Sequence, residues 1–157
     1  MIGYDIGTTR SKVAFVDQAG KPNAVLNARG DHSTPSVLYF PDSGAPPLVG
    51  LDASEQCCLD PEKGVRNFKL DLGSTKSLLG NGRVVTPTDA TAALIMQLKE
   101  DAERQLGVEV SEAVATCPAN FRDDSKQALI DAFERGGIKI LRLMPEPTAA
   151  GIAYALG

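Results

Sequence analysis

A carboxylate and the turn that follows it are the first residues in the chain that could do chemistry. The sequence opens MIGYDIGTTR, which places Asp5 inside an apolar run and Gly7, Thr8 and Thr9 shortly after it. Burying a carboxylate in an apolar strand is costly unless a partner compensates its charge. Asp5 is therefore either an ordinary strand residue that faces solvent or a ligand of a hydrated Mg²⁺ ion, which binds a few carboxylates and keeps several waters.

The turn itself contains the residue types that receive phosphate groups. Gly7 allows the backbone to approach an anion closely, and the amide and hydroxyl donors of Thr8 and Thr9 can converge on phosphate oxygens. The same residues also suit a plain β-hairpin, and this string alone does not distinguish the two.

Composition and charge argue against several classes of function. The 157 residues are 43% hydrophobic and 23% charged, as in an ordinary globular domain. A net charge of −4 without a Lys/Arg cluster argues against nucleic acid or a membrane as partner. Three cysteines form neither a disulfide framework nor a CxxC site, so we expect reduced thiols and a cytoplasmic location. A lone histidine, His32, argues against structural zinc.

The elements that must position these residues differ between the two halves of the chain. Short apolar runs separated by turn residues predict strands at 2–6, 12–16 and 24–26, arranged as an antiparallel meander, and a further strand at 36–40. Residues 41–85 are rich in Gly, Pro and charge, and their weak periodicity supports no assignment.

The second half alternates helical and strand patterns. Thr86 and Pro87 predict an N-cap and first helical position, and Gly107 predicts the end of that helix. Asp124 and Gln127 resemble a capping box for a second helix. Strands are predicted at 113–116 and 139–144, and a third helix from residue 147. The alternation predicts an α/β fold whose later strands are parallel and covered by helices.

Five stretches in order resemble the N-terminal half of the ATPase domain of the heat shock protein 70 chaperone family, within the actin-like and sugar-kinase superfamily. They are MIGYDIGTTR, GDHSTPSVLYF, NFKLDLG, EAVATCPANFRDDSKQALIDA and ILRLMPEPTAAGIAYALG. The resemblance implies an actin-like, ribonuclease H-like fold with a mixed five-stranded sheet. It also implies a reduced outer subdomain at about 27–110, because the segment before Thr86 is short for the family.

The resemblance implies a role for each matching residue in the hydrolysis of ATP. Asp5 matches the acidic residue that orients magnesium through water. Lys69 matches the lysine that reaches the γ-phosphate and the attacking water, and Glu146 matches the glutamate that positions that water. The first phosphate loop matches a set of four residues, namely Gly7, Thr8, Thr9 and Arg10. Of these, Arg10 stands where the family usually has asparagine.

Other matching positions imply coupling to a second domain. Pro118 matches a proline proposed to relay the nucleotide state, and Lys126 and Arg142 are the further coupling candidates. Lys126 stands where the family has arginine, and lysine lacks the planar fork of that side chain. Asn120 replaces an aromatic residue. Coupling to a substrate-binding domain is therefore an expectation that these departures put in doubt.

The resemblance also implies cofactors and partners. The cofactors are ATP or ADP with Mg²⁺, and K⁺. The partners are unfolded client polypeptides, a J-domain co-chaperone and a nucleotide-exchange factor. Residues 1–157 match only the first lobe, so we expect a piece of a longer protein that lacks the second lobe and the substrate-binding domain. We expect this piece alone to be an inefficient ATPase.

Three alternatives remain open at this point. The chain could be a lobe of an actin-like carbohydrate kinase, although PEPTAA with the upstream CPANF favours the chaperone branch. It could belong to a non-enzymatic actin-like assembly protein. It could also be a degenerate relative, against which the presence of Asp5, Lys69 and Glu146 argues.

Overall fold

In a computed structural model of the chain, residues 1–146 are described. The helix that the sequence predicts from residue 147 onward, and the part of the PEPTAA motif that follows Glu146, lie outside the described residues. Among these described residues, no helix combines the length and the apolar character needed to cross a membrane.

Strands dominate the first half of the described chain, and long helices appear only in the second half. Two short 3₁₀ turns, Pro61–Lys63 and Phe68–Asp71, join elements of the middle region. In chain order the strands and helices are β1 (Ile2–Asp5), β2 (Arg10–Val16), β3 (Pro22–Ala24), β4 (Thr34–Pro35), β5 (Val37–Tyr39), β6 (Leu48–Val49), α1 (Leu51–Leu59), β7 (Gly64–Arg66), β8 (Leu78–Gly80), β9 (Arg83–Val85), α2 (Pro87–Leu106), β10 (Glu112–Cys117), α3 (Asp123–Arg135) and β11 (Lys139–Pro145).

The main sheet is mixed and has the strand order β11-β10-β1-β2-β3, with β4 added to β2. Strand β1 pairs antiparallel with β2 and parallel with β10, and β10 pairs parallel with β11. The predicted mixed sheet with parallel later strands is confirmed, and β4 makes it six-stranded where five strands were predicted. The third strand lies at Pro22–Ala24, two residues before its predicted position, because its register with β2 starts directly after the turn at residues 17–20.

Helices α2 and α3 cover one face of this sheet. Every second residue of β10 is buried, and these side chains join Leu94, Ile95 and Leu129 in one core. Tyr4 of β1 packs edge-on against Phe133 of α3, with ring centroids 5.5 Å apart. The predicted N-cap of α2 is confirmed, because the Thr86 side chain accepts a hydrogen bond from the backbone N–H of Asp89.

The predicted capping box of the second helix is wrong. Helix α3 begins at Asp123 and its N-cap is Arg122, which makes no side-chain capping bond. Asp124 therefore lies inside the first turn, where its carboxylate accepts from the N–H of Ser125. Gln127 instead donates to Asp131, one turn further along.

A second, smaller group of elements lies between β3 and α2. It contains the three-stranded sheet β6-β5-β7, helix α1 and the β8–β9 hairpin. Buried residues of this group, among them Leu38, Phe40 and Val65, share one continuous core with the main sheet and its helices. The outer subdomain with bounds at about 27–110 stays a prediction.

Candidate functional site

The candidate site is a cleft of about 820 Å³ at one edge of the main sheet. Strands β1, β10 and β11 are parallel, so their carboxyl ends, at Asp5, Cys117 and Pro145, meet at the same edge. Ligand sites in sheets of this kind favour that edge. The residues that line the cleft include Asp5, Gly7, Thr8, Lys69, Thr116, Pro118 and Glu146.

Asp5 lies at the end of β1 with its side chain exposed to the cleft. One of its carboxylate oxygens, Oδ1, accepts a hydrogen bond of 2.8 Å from the hydroxyl of Thr116 on the neighbouring strand β10. This bond fixes the orientation of the carboxylate, because both residues sit on paired, parallel strands. The cleft-facing position explains how the sequence tolerates a carboxylate in an apolar run.

Lys69 is nearly completely buried, with 6% of its side chain exposed. Its ammonium group donates to Glu146 Oε1 over 3.2 Å and lies 5.9 Å from the centroid of the Phe121 ring. A buried ammonium is costly unless it is paired, and Glu146 and the ring face supply the compensating charge. Residues 69 and 146 are 77 positions apart in the sequence, so the fold alone brings them together.

A short turn that is hydrogen-bonded to α3 and packs closely against it holds Lys69 in place. Lys69 lies in the 3₁₀ turn Phe68–Asp71, which begins after Asn67 in a left-handed conformation. The hydroxyl of Ser125 donates to the carbonyl of Leu72 over 3.0 Å. Gly73 lies so close to α3 that a Cβ there would be 2.7 Å from the backbone nitrogen of Ser125. The first turn of α3 therefore fixes the segment that carries the lysine.

The turn between β1 and β2 needs glycine at position 7. A Cβ at Gly7 would overlap the carbonyl oxygen of Arg10, because the chain folds back tightly at this point. Two buried serines hold this turn through hydrogen bonds to its backbone. The N–H of Gly7 donates to Ser11 Oγ, and the hydroxyl of Ser36 donates to the Gly7 carbonyl. Gly7 and Thr8 both line the cleft.

Thr9 and Arg10 are not among the cleft-lining residues. The carbonyl of Thr9 accepts from the backbone N–H of Ser36. The guanidinium of Arg10 donates to the hydroxyl and the carbonyl oxygen of Ser33, at 2.6 and 3.0 Å. The phosphate-binding roles that the resemblance implies for Thr9 and Arg10 stay predictions.

The three coupling candidates occupy different places. Pro118 lines the cleft directly after β10. Lys126 lies on α3, close enough to the end of β10 for its charge to influence the Cys117 thiol. Burial is the main cause that raises the pKa of Cys117; the positive charges of Lys126 and Lys69 oppose that rise, and Glu146 adds to it.

Arg142 lies on β11 and lines an apolar groove on the other face of the sheet. The coupling roles of Pro118, Lys126 and Arg142 stay predictions.

The charges of the cleft suit a magnesium–phosphate complex better than a bare metal ion. The described lining residues include two carboxylates, Asp5 and Glu146, and two cations, Lys69 and Arg122. Among residues 1–146, no three His, Cys, Asp or Glu side chains cluster as a metal cage. Mg²⁺ suits this donor set, since it binds through one or two carboxylates, waters and substrate phosphates.

Sequence reasoning missed several residues that support the site. The sequence pattern places Thr116 only in a strand; the signal that could have identified it is its position at the carboxyl end of β10, beside β1 and Asp5. Ser36 lies in the GDHSTPSVLYF stretch and Ser11 directly follows MIGYDIGTTR, but the resemblance implies no role for either serine. Phe121 lies in the CPANF stretch, to which the resemblance assigns no role for the aromatic ring.

A model of one protein family matches the whole chain. The family is described as Hsp70 protein, and two matching segments cover residues 1–80 and 75–157. Together they cover all of the cleft-lining residues named above.

Curated relatives of similar sequence carry the name chaperone protein DnaK. Those of Thermotoga neapolitana, Thermotoga petrophila and Thermotoga maritima are each 39% identical to this chain over 156 residues, which is 99% of the chain. The chain spans about a quarter of the length of these relatives, 26% in each case.

Proposed function

This chain belongs to the Hsp70 family, and on that premise we propose that the cleft binds the phosphates of ATP together with Mg²⁺ and contributes to their hydrolysis. The observation that carries the proposal is the ion pair between the buried Lys69 and the exposed Glu146, which lines the same cleft as Asp5 and the Gly7–Thr8 turn. Lys69 thereby holds a fixed positive charge at the wall of the cleft, where an anionic ligand would bind.

Each residue contributes positioning or charge rather than covalent chemistry. Phosphoryl transfer depends mainly on alignment and on neutralising the negative charge that the phosphate oxygens carry. Lys69 supplies a fixed positive charge, and Glu146 is suited to orient a water molecule and accept its proton. Thr8 offers an amide and a hydroxyl donor to a phosphate oxygen. Mg²⁺, when bound, would neutralise phosphate charge beside Asp5, whose carboxylate Thr116 holds in place.

The proposed role of the whole protein is that of an ATP-dependent chaperone in the cytoplasm. DnaK relatives are named chaperones, and this chain covers about a quarter of their length. Client polypeptides, a J-domain co-chaperone and a nucleotide-exchange factor are the partners that this role would require. ATP or ADP with Mg²⁺, and K⁺, are the cofactors.

Replacing Lys69 by alanine in the full-length gene product tests the proposed site. Lys69→Ala removes the fixed positive charge but leaves Asp5, the phosphate-binding turn and the metal position intact. We expect ATP still to bind, while steady-state phosphate release falls by about 10²-fold or more, in the range found when one charge-stabilising group is lost. Turnover and nucleotide affinity are measured on the same preparation.

Lys76→Ala is the matched control for this experiment. Lys76 is exposed, pairs with Asp71 on the same segment and is not among the cleft-lining residues. We expect it to retain the turnover of the unmodified protein. Equal turnover in Lys69→Ala and Lys76→Ala would remove Lys69 from the mechanism.

A further inference from the structure

Two buried serines close a ring of hydrogen bonds around Gly7. The Gly7 N–H donates to Ser11 Oγ over 3.2 Å, Ser36 Oγ donates to the Gly7 carbonyl over 2.8 Å, and the two serine oxygens lie 2.9 Å apart. Ser11 and Ser36 are 0% and 2% exposed. Buried hydroxyls of this kind are normally satisfied, and here both backbone groups of Gly7 satisfy them.

The direction of the bond between the two serines follows from counting protons. A serine hydroxyl has a single proton to donate. Ser36 uses its proton on the Gly7 carbonyl, so Ser11 must donate to Ser36. The order is therefore Gly7 N–H to Ser11, Ser11 to Ser36, and Ser36 back to the Gly7 carbonyl. Each bond in such a chain polarises the next and strengthens it.

The ring also sets the direction of the next amide along the chain. The Gly7 carbonyl and the Thr8 N–H belong to one planar peptide unit, and no cis peptide bond occurs among the described residues. In a trans unit the two groups point in opposite directions. Because Ser36 holds the carbonyl on the buried side, the Thr8 N–H is turned away from Ser36, and Thr8 lines the cleft.

Ser36 holds the turn at a second point. Its own backbone N–H donates to the Thr9 carbonyl over 2.9 Å. One residue therefore fixes the carbonyl groups on both sides of Thr8. This arrangement leaves Thr8 little freedom to rotate its amide away from the cleft.

We propose that Ser36 is a positioning residue that presets the Thr8 amide as a donor to a phosphate oxygen, with Ser11 as its supporting partner. The inference rests on the proposed function of the cleft, and it assigns to Ser36 a role through Thr8 rather than direct contact with the ligand. It also predicts that the Gly7 N–H, which Ser11 occupies, takes no part in binding.

The test compares two serine variants of the full-length gene product in binding MgADP and MgATP. Ser36→Ala removes the bond that orients the peptide unit, so we expect affinity to fall by about tenfold, which corresponds to the loss of one buried hydrogen bond. Ser11→Ala leaves the Ser36–Gly7 bond in place, so we expect a smaller loss. In the NMR spectrum, the shift of the Thr8 amide on adding MgADP should be large in the unmodified protein and small in Ser36→Ala.

A matched control separates this effect from general destabilisation. Thr91 is fully buried on α2, and its hydroxyl donates to the Pro87 carbonyl over 2.8 Å. Thr91→Val also removes one buried hydroxyl bond, and it should retain nucleotide affinity. If Ser36→Ala does not fold, Ser36→Cys gives the same comparison, since a thiol fills the space but is a much weaker donor.

The outcomes distinguish this inference from the proposed function. Failure of the unmodified protein to bind either nucleotide would overturn the function of the cleft. Normal binding together with unchanged affinity and an unchanged Thr8 shift in Ser36→Ala would overturn the role of Ser36 alone. Equal losses in Ser36→Ala and Ser11→Ala would also overturn it, because the orientation of the peptide unit would then not matter.

Discussion

At the scale of single residues, Gly7 and Lys69 show what the sequence could and could not predict. The glycine–threonine string predicted a tight turn at residues 7–9, and the overlap that a Cβ at Gly7 would make with Arg10 explains why glycine is needed. Nothing in its local sequence marks Lys69 as buried, since lysines are usually solvated. Only the resemblance singled it out, because its partner Glu146 is remote in the sequence.

Replacing Gly7 by alanine should damage the cleft while the rest of the fold survives. The added methyl group must displace the Arg10 carbonyl and break the ring through Ser11 and Ser36. We expect nucleotide affinity to fall by about five- to 150-fold, from the loss of about 1–3 kcal/mol of ordered hydrogen bonding. Calorimetric titration of the full-length gene product with MgATP measures this loss.

Gly3, in the preceding strand β1, provides the control for that substitution. A Cβ at Gly3 would meet Val114 at an ordinary contact distance of 3.6 Å. Gly3→Ala should therefore bind nucleotide as the unmodified protein does. If Gly7→Ala also bound normally, the tight turn would not be required for the site.

At the scale of elements, periodicity predicted those helices whose buried faces are wide. Helix α2 buries nine residues along its 20-residue length, and its cap and terminal glycine were readable from the sequence. Helix α1 was missed because it buries only Ala53 and Cys57 and follows Gly50, whose positive φ and lack of a capping side chain leave no start signal. The capping box failed because Asp124 and Gln127 have the right spacing but lie two positions too far along the chain, since the N-cap of α3 is Arg122.

Asp101 on α2 makes the stability of the protein depend on pH. Only 3% of its side chain is exposed, and it accepts from Gln97 and pairs with Arg104. Burial is the main cause that raises its pKa, Glu100 adds to the rise, and the bonds to Gln97 and Arg104 oppose it. Tyr4 of β1 faces the same region, and the pKa of its phenol is raised first by burial and then by Glu103 and Asp101.

A carboxyl group whose folded pKa is raised favours the folded state while it is protonated. That contribution is complete below the unfolded pKa of about 3.9 and is lost as pH rises through the folded value. Asn is not ionised, so Asp101→Asn should gain stability relative to the unmodified protein as pH rises from about 3 to 7. Urea unfolding of both proteins across this range measures the difference.

Asp131→Asn controls for the loss of a Gln–Asp pair. Asp131 accepts from Gln127 at the same spacing on the surface of α3. We expect this substitution to change the free energy of unfolding by no more than about 0.5 kcal/mol. If the stability of Asp101→Asn relative to the unmodified protein stayed constant or fell with rising pH, the assignment of a raised pKa would be contradicted.

At the scale of the whole molecule, topology assembles the site from distant parts of the chain. Asp5, Lys69, Thr116 and Glu146 come from four separate segments, and three of these segments end at the same edge because β1, β10 and β11 are parallel. The sequence predicted the parallel strands and therefore the edge. It could not predict which side chains meet there, because that depends on the strand order and on the close packing of Gly73 against the first turn of α3.

The most direct test of the central claim is the affinity of the full-length gene product for ATP with and without Mg²⁺, measured for the unmodified protein and for Asp5→Asn. If Asp5 faces a magnesium–phosphate complex in this cleft, the unmodified protein should bind ATP at least about tenfold more tightly with Mg²⁺ than with a chelator, which corresponds to about 1.4 kcal/mol. Asp5→Asn should lose most of that difference. Absence of ATP binding, or a Mg²⁺ dependence that Asp5→Asn leaves unchanged, would contradict the account.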